Sequence, residues 1–215
     1  VSTLCDWQIR DAIHAGELVI DGLPDGALDG GTELQPASID LRLDRRFRIL
    51  SPEDADDGDG CDTCLWPHLD PAQDSSRWFV PHEVEDGGHL LLRPGQCALA
   101  QTYERVHLGP DLLARWEGKS SLGRLFLLTH ATAGYVDPGF SGRITLELAN
   151  LGPLPIVLRP GMRIGQLALE RIARPERPYG QGATASRYQG QDHPTPSRSY
   201  LGFTAGLPTT ERHPA

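Results

Sequence analysis

RITLELA, residues 143–149, sets Ile144, Leu146 and Leu148 on one side of an extended chain and Arg143, Thr145 and Glu147 on the other. Apolar residues at every second position mark a half-buried strand, whose side chains point alternately to the two faces of a sheet. GQLALERI (165–172), CALAQTY (97–103) and HLLLR (89–93) read as further short strands. Pro-Gly pairs at 94–95, 138–139 and 160–161 punctuate the chain around them as turns. Upstream, SIDLRLDRRFRI (38–49) alternates Ile39, Leu41 and Leu43 with polar residues and predicts one strand. Two helices are expected. A short N-terminal one starts at the Thr3–Asp6 signal, carries Cys5, Ile9, Ala12 and Ile13 on its apolar face and stops at Gly16. The other covers PDLLARWE (110–117), with Pro110 near its first turn. No internal repeat is visible, and the expectation is one mainly β domain.

The 215 residues suffice to bury a core, and 24 Gly with 18 Pro favour short strands and tight turns over a helix bundle. Apolar runs no longer than those like Leu125–Leu128 span no membrane. The first residues, VSTLCDWQIRDAI, have neither the basic start nor the apolar stretch of a secretory signal, so a cytoplasmic chain is expected. Cys5, Cys61, Cys64 and Cys97 are too few and too scattered for a disulfide scaffold. The formal charge of −9 argues against a protein that coats nucleic acid. That charge is uneven. Residues 51–76 carry eight acids with no Lys or Arg between Arg48 and Arg77, so they supply −8 and leave the rest near neutral. This acidic stretch reads as a solvated insertion, and the Pro-, Gly-, Gln- and Ser-rich chain from 173 onward reads as a flexible tail.

Several segments carry candidate chemistry. GKSSLGR (118–124) holds the sole lysine, Lys119, together with Ser120, Ser121 and Arg124. It is not a P-loop, because that pattern needs Gly where Leu113 stands. Its hydroxyls, backbone N–H groups and forked guanidinium suit a phosphate chain, and an ordinary polar turn accounts for it equally well. Cys61 and Cys64 form a CxxC pair, but zinc needs two more ligands at sensible spacing, and two incidental thiols explain the pair better. A zinc nucleobase deaminase needs His-x-Glu followed by Pro-Cys-x-x-Cys; no His here has Glu two positions on. Glu147, on the polar side of its strand, and Asp137, in the turn VDPGFSG, are two carboxylates able to divide acid and base roles if they meet in one pocket. His130, at the end of an apolar run, reads as a near-core histidine.

EGKSSLGRLFLLTHATAGYVDPGFSGRITLEL (117–148), PGMRIGQLALE (160–170), SRYQGQDHPTPSR (186–198) and QPASIDLRL (35–43) together resemble the dCTP deaminase branch of the dUTPase-like superfamily. The resemblance is dense over 100–200, weaker over 4–20 and 35–49, and absent from the acidic stretch and the last ten or so residues. It implies a distorted β jelly roll with a short N-terminal helix and a C-terminal lid. Residues 1–200 would form the domain, with the insertion at 51–76, the lid at 173–200 and an extension at 201–215. It also implies a homotrimer with active sites shared between subunits, no zinc, and magnesium arriving on the triphosphate. Glu147 matches the proton-shuttling glutamate, while Ser120, Ser121 and Arg124, with Lys119 beside them, match residues that grip the triphosphate. Ser120 and Arg124 would also help set the attacking water, together with the carbonyl of Ala133. Gln166, Tyr179, Arg187 and Gln191 match nucleotide-contacting positions.

Members that stop at dUTP carry a His-Arg pair where this chain has Gly134-Tyr135, whereas dUMP-forming members have Gly followed by an aromatic. The resemblance therefore implies conversion of dCTP to dUMP, diphosphate and ammonia, with Asp137 aligning water on the phosphate chain and Tyr135 packing on the nucleoside. A dUTP-releasing deaminase, a deaminase of a modified cytosine nucleotide and a non-catalytic nucleotide-binding regulator are the alternatives. Two departures stand inside the motifs: Phe126 where the family usually has Gly, and Arg187 where it more often has Lys.

Overall fold

The computed structural model describes residues 2–51, 68–181 and 186–202. Strand β1 (Ser2–Thr3) leads into helix α1 (Asp6–His14), followed by β2 (Leu18–Asp21), β3 (Leu34–Gln35), β4 (Ser38–Arg42) and β5 (Arg46–Leu50). After a 3-10 turn at Ser76–Trp78 come β6 (Phe79–Glu83), β7 (Leu90–Leu92), β8 (Cys97–Gln101), β9 (Arg105–Leu108) and β10 (Leu112–Gly118). A single helical turn, α2 (Ser120–Gly123), precedes β11 (Leu127–Leu128), β12 (Tyr135–Val136) and β13 (Ser141–Gly142). The last strands are β14 (Thr145–Asn150), β15 (Ile156–Leu158) and β16 (Arg163–Arg171).

The sheet β12-β10-β16-β4-β3, to which β1 adds at β16, packs with the sheet β11-β14-β8-β5-β6; smaller sheets β13-β9-β2 and β15-β7 complete the fold. Every registered pairing is antiparallel. The two large sheets enclose one core, where Leu41, Phe47, Leu146, Leu148, Leu167 and Leu169 are buried together. The alternation in β14 is as the sequence predicts: Leu146 and Leu148 point inward while Glu147 is half-buried on the other face. No helix among the described residues is long and apolar enough to cross a membrane.

Three local expectations change. Residues 110–117 are not a helix: β10 runs between β12 and β16, in register with β16 from Leu112↔Arg171 to Gly118↔Gly165. Leu112, Leu113, Ala114 and Trp116 are all buried, and a short apolar run buried on both faces has the same composition as a helix face, so periodicity cannot separate them. The Trp116 ring lies over Gly165, where an added Cβ would come within 2.1 Å of Cζ2, so this strand position has no room for a side chain. The single strand expected over 38–49 is two strands in two sheets, broken at Leu43–Arg45. Leu43 bridges to Thr102, and the buried Asp44 accepts from Arg46 Nη2 at 2.8 Å, turning the chain from one sheet into the other. Finally, Thr3 lies in β1 and Cys5 caps α1, its N–H donating to Gln8 Oε1 at 3.1 Å. Gly16 ends the helix at a left-handed φ of 72°, as expected. Cys61, Cys64 and most of the acidic insertion lie outside the described residues.

Candidate active site

A cavity of about 640 Å³ opens above β14. Glu147 rises from the polar face of that strand, opposite Leu99 of β8. Its Oε2 accepts the backbone N–H of Ala131 at 3.0 Å, and Oε1 has no protein donor among the described residues. The carboxylate is thus held by one oxygen and free at the other. The loop above it contributes His130, Ala133 and Gly134 to the lining. Gly134 is pressed against β10: its carbonyl accepts from Trp116 N–H at 2.6 Å, and a Cβ at 134 would sit 2.6 Å from the Trp116 carbonyl oxygen. Only glycine fits that approach.

Tyr135 follows on β12, exposed, with the Arg115 guanidinium 5.4 Å from its ring centre. The adjoining turn places an exposed Asp137 on the cavity wall. Across from it, Tyr179 docks by donating its backbone N–H to the Pro138 carbonyl at 2.7 Å and lies 6.2 Å, ring to ring, from Phe140. Burial, with the nearby Asp137 charge in support, pushes the Tyr179 phenol above its ordinary value, so it stays protonated and accepts the Tyr188 N–H at 3.1 Å. The returning tail adds Arg187 and Gln191. Gln191 Nε2 donates to the Arg143 carbonyl at 2.7 Å, leaving a buried Oε1 with no partner among the described residues. A buried acceptor left open at a cavity wall is a place for a ligand donor.

The structure therefore gathers Glu147, Asp137, Ala133, Tyr135, Tyr179, Arg187 and Gln191 around one space. Lys119, Ser120, Ser121, Arg124 and Gln166 line no part of it. They form a second group at α2, where Ser120, Ser121 and Arg124 are exposed. Gln166 holds the turn from below, accepting from Ser38 Oγ at 2.7 Å and donating to the Gly118 carbonyl at 3.2 Å. Lys119 Nζ is 2.5 Å from Oδ2 of the buried Asp40, with Arg163 3.8 Å away, so much of its charge is committed inside the protein. Asp40 escaped the sequence reading because it sits on an alternating strand as an ordinary polar partner. Tyr188 and Thr195, which also line the cavity, escaped it for want of any periodicity in the tail. His130 is half-buried as expected, yet it reaches the cavity, and its buried Nδ1 has no partner among the described residues.

Just past α2, Phe126 is the one non-glycine among the described residues with a left-handed φ, 63°, and it is 59% exposed. The backbone here takes the conformation that suits glycine, and phenylalanine adopts it at a steric cost. Leu125, Leu128, Leu151 and Leu154 are exposed around it, tied together by Leu151 N–H to the Phe126 carbonyl at 3.0 Å and Asn150 Nδ2 to the Leu154 carbonyl at 2.8 Å. Among the described residues no three His, Cys, Asp or Glu side chains converge to hold a metal.

This antiparallel β domain brings two carboxylates to one cavity, and its residues 3–172 match the family described as dCTP deaminase-like; the chain belongs to that family. It is 49% identical over 202 residues to a Thermobifida fusca protein named dCTP deaminase, dUMP-forming, covering 94% of both chains. A Nocardioides protein of the same name is 50% identical over 201 residues, covering 93% of this chain and 96% of its own. Among solved structures, the 2'-deoxycytidine 5'-triphosphate deaminase of Agrobacterium tumefaciens shares the fold with a TM-score of 0.56 at 24% identity, over 80% of this chain and 46% of that one.

Proposed function

We propose that this protein hydrolyses dCTP without zinc, first to dUTP and ammonia and then to dUMP and diphosphate, consuming one water in each step. The observation that carries the reading is the meeting of Glu147 and Asp137 in one cavity that the compressed Gly134 and the following Tyr135 also line. In the first step Glu147 takes a proton from the attacking water as the oxygen adds to C4 of the ring. It passes that proton to the ring nitrogen, and a second transfer makes ammonia the leaving group. The Ala131 N–H fixes one carboxylate oxygen, so proton traffic runs through the other. In the second step Asp137 orients water toward the phosphate chain, and the leaving group is diphosphate. Magnesium, a hard cation that takes one or two carboxylates plus phosphate oxygens, suits a cavity lined by two carboxylates. Asp137 would share it with the triphosphate, whose charge it would offset.

Ser120, Ser121 and Arg124 complete this site from a neighbouring copy in a homotrimer. Two features support that: the triphosphate-gripping group lines no part of the chain's own cavity, and the apolar surface around Phe126 lies next to it. The reading places the enzyme in the cytoplasm, with the nucleotide pool it draws on. Two experiments test it. Offered separately, dCTP and dUTP should each yield dUMP, while dCMP, lacking the triphosphate, should not turn over; turnover of dCMP at a comparable rate would contradict the phosphate-gripping role. Glu147→Gln and Arg124→Ala chains should each be inactive alone. Randomly co-assembled at equal amounts, they should recover about a quarter of wild-type activity, because each mixed trimer regains one intact site of three. No recovery would mean that the site lies within one chain.

A further inference from the structure

Beyond β16 the chain returns across β14, β8 and β5. Gly190 N–H donates to the Ser141 carbonyl at 2.7 Å, and Arg143 N–H donates to the Gln191 carbonyl at 3.0 Å. The next three residues are then held one after another by arginines of the sheet. Asp192 Oδ1 accepts from Arg143 Nε at 2.8 Å and lies 3.8 Å from Arg105, and its carbonyl accepts from the buried Gln101 at 3.1 Å. His193 Nδ1 is 3.0 Å from Arg46 Nη1. The Pro194 carbonyl accepts from Arg48 Nε at 2.9 Å. On either side of these three residues stand Arg187, Gln191 and Thr195, which line the cavity.

We propose that Arg46, Arg48 and Arg143 act as a clasp on residues 192–194, positioning Arg187 and Gln191 at the cavity, and that His193 makes the clasp sensitive to pH. The proposal rests on the functional reading above for its link to substrate, but not for the clasp itself. A guanidinium only donates hydrogen bonds, so the Arg46 contact requires His193 neutral, with Nδ1 accepting and the proton on Nε2. Protonation replaces an acceptor with a cation facing a cation. Asp192 attracts both Arg46 and a charged His193, yet the surrounding acids are already engaged by other donors. Asp44 already binds Arg46 through Nε at 3.1 Å and Nη2 at 2.8 Å and takes Gln101 Nε2 at 2.6 Å. Asp192 is held by Arg143, with Arg105 beyond it. Glu83 lies across from Arg46 in the β5–β6 register, and Arg48 adds a further positive charge. Protonating the imidazole therefore removes the acceptor that Arg46 uses, and the clasp should loosen on acidification.

Asp192 titrates elsewhere. The hydrogen bond from Arg143 holds its carboxyl below the ordinary value of 3.8. Its contribution to tail docking is therefore complete above that value and is lost only as pH falls below it.

The test is hydrogen–deuterium exchange of residues 188–198 in the nucleotide-free protein at about pH 7.5 and about pH 5.5, comparing wild type with His193→Gln at each pH. Glutamine offers Arg46 a carbonyl oxygen and does not titrate. The two proteins should match at the higher pH, and at the lower one the wild-type segment should exchange about fivefold faster than the variant. In parallel, KM for dCTP should rise in wild type relative to His193→Gln across the same interval, with the kcat ratio constant. Equal exchange at both pH values overturns the clasp's pH dependence. Exchange that responds while the KM ratio stays flat overturns the positioning role. A chain that does not turn over dCTP at all fails the functional reading, and the exchange measurement still decides the clasp.

Discussion

Glu147→Gln is expected to reduce ammonia release from dCTP by on the order of 10³-fold, equal to roughly 4 kcal/mol of transition-state stabilisation. Glutamine has the same shape, and its oxygen can still accept the Ala131 N–H that the carboxylate accepts at 3.0 Å. What it cannot do is take a proton from water and return it to the ring and the amine. The loss should therefore fall on kcat, with dCTP affinity held within about threefold, the pattern of an interaction made only in the transition state. Stability should be nearly unchanged, because the side chain is half-buried on the outer face of β14 while Leu146 and Leu148 carry the packing. Deamination surviving within tenfold of wild type would mean that another group moves the proton, and His130, with its unpartnered Nδ1 in the same cavity, would be the next residue to replace.

Asp137→Asn should separate the two half-reactions. Diphosphate release is expected to fall about 10²-fold, the low end for a positioned acid–base group, with deamination falling less than about tenfold. dUTP should then accumulate where wild type delivers dUMP. The asymmetry follows from placement. Asp137 stands exposed in the turn after β12, at the cavity wall, while Glu147 rises from β14 beneath the loop of Ala131 and Gly134. Equal loss of both half-reactions would show that Asp137 shapes the whole cavity instead of serving the phosphate step.

The period-two strands were legible because one face of each meets the core. β14 alternates as RITLELA predicts, and in β16 the buried Leu167 and Leu169 alternate with half-buried Gln166, Ala168 and Glu170. β10 was not legible, because Leu112, Leu113 and Ala114 are buried in sequence and leave no alternation to read. The corner at Leu43–Arg45 was hidden for a related reason: Asp44 and Arg46 look like the polar side of a continuing strand, and only the pairing of β4 and β5 with different sheets shows the break. GKSSLGR, read as a turn, contains one turn of helix, a distinction too short for periodicity to make.

The site followed the same logic. Glu147, Asp137, Gly134 and Tyr135 are close in sequence and close in space. The partition between the cavity group and the α2 group has no signature in sequence, because Lys119 and Ser120 are nearer in the chain to Glu147 than Arg187 is. It depends on which way β10 leaves its sheet. The clasp was likewise invisible, since Arg46 and Arg48 read as solvated strand residues and their partners lie in a tail without periodicity. Phe126 is the reverse case: the sequence marked it as unusual, and its left-handed backbone gives the reason.

The most direct measurement follows ammonia, diphosphate, dUTP and dUMP together during turnover of dCTP by the purified protein with magnesium and a zinc chelator present. Ammonia, diphosphate and dUMP should appear in equal amounts, with no pool of free dUTP building up ahead of dUMP. Ammonia matched by dUTP, with diphosphate and dUMP lagging or absent, would contradict the coupled reaction, and no ammonia at all would contradict the deaminase.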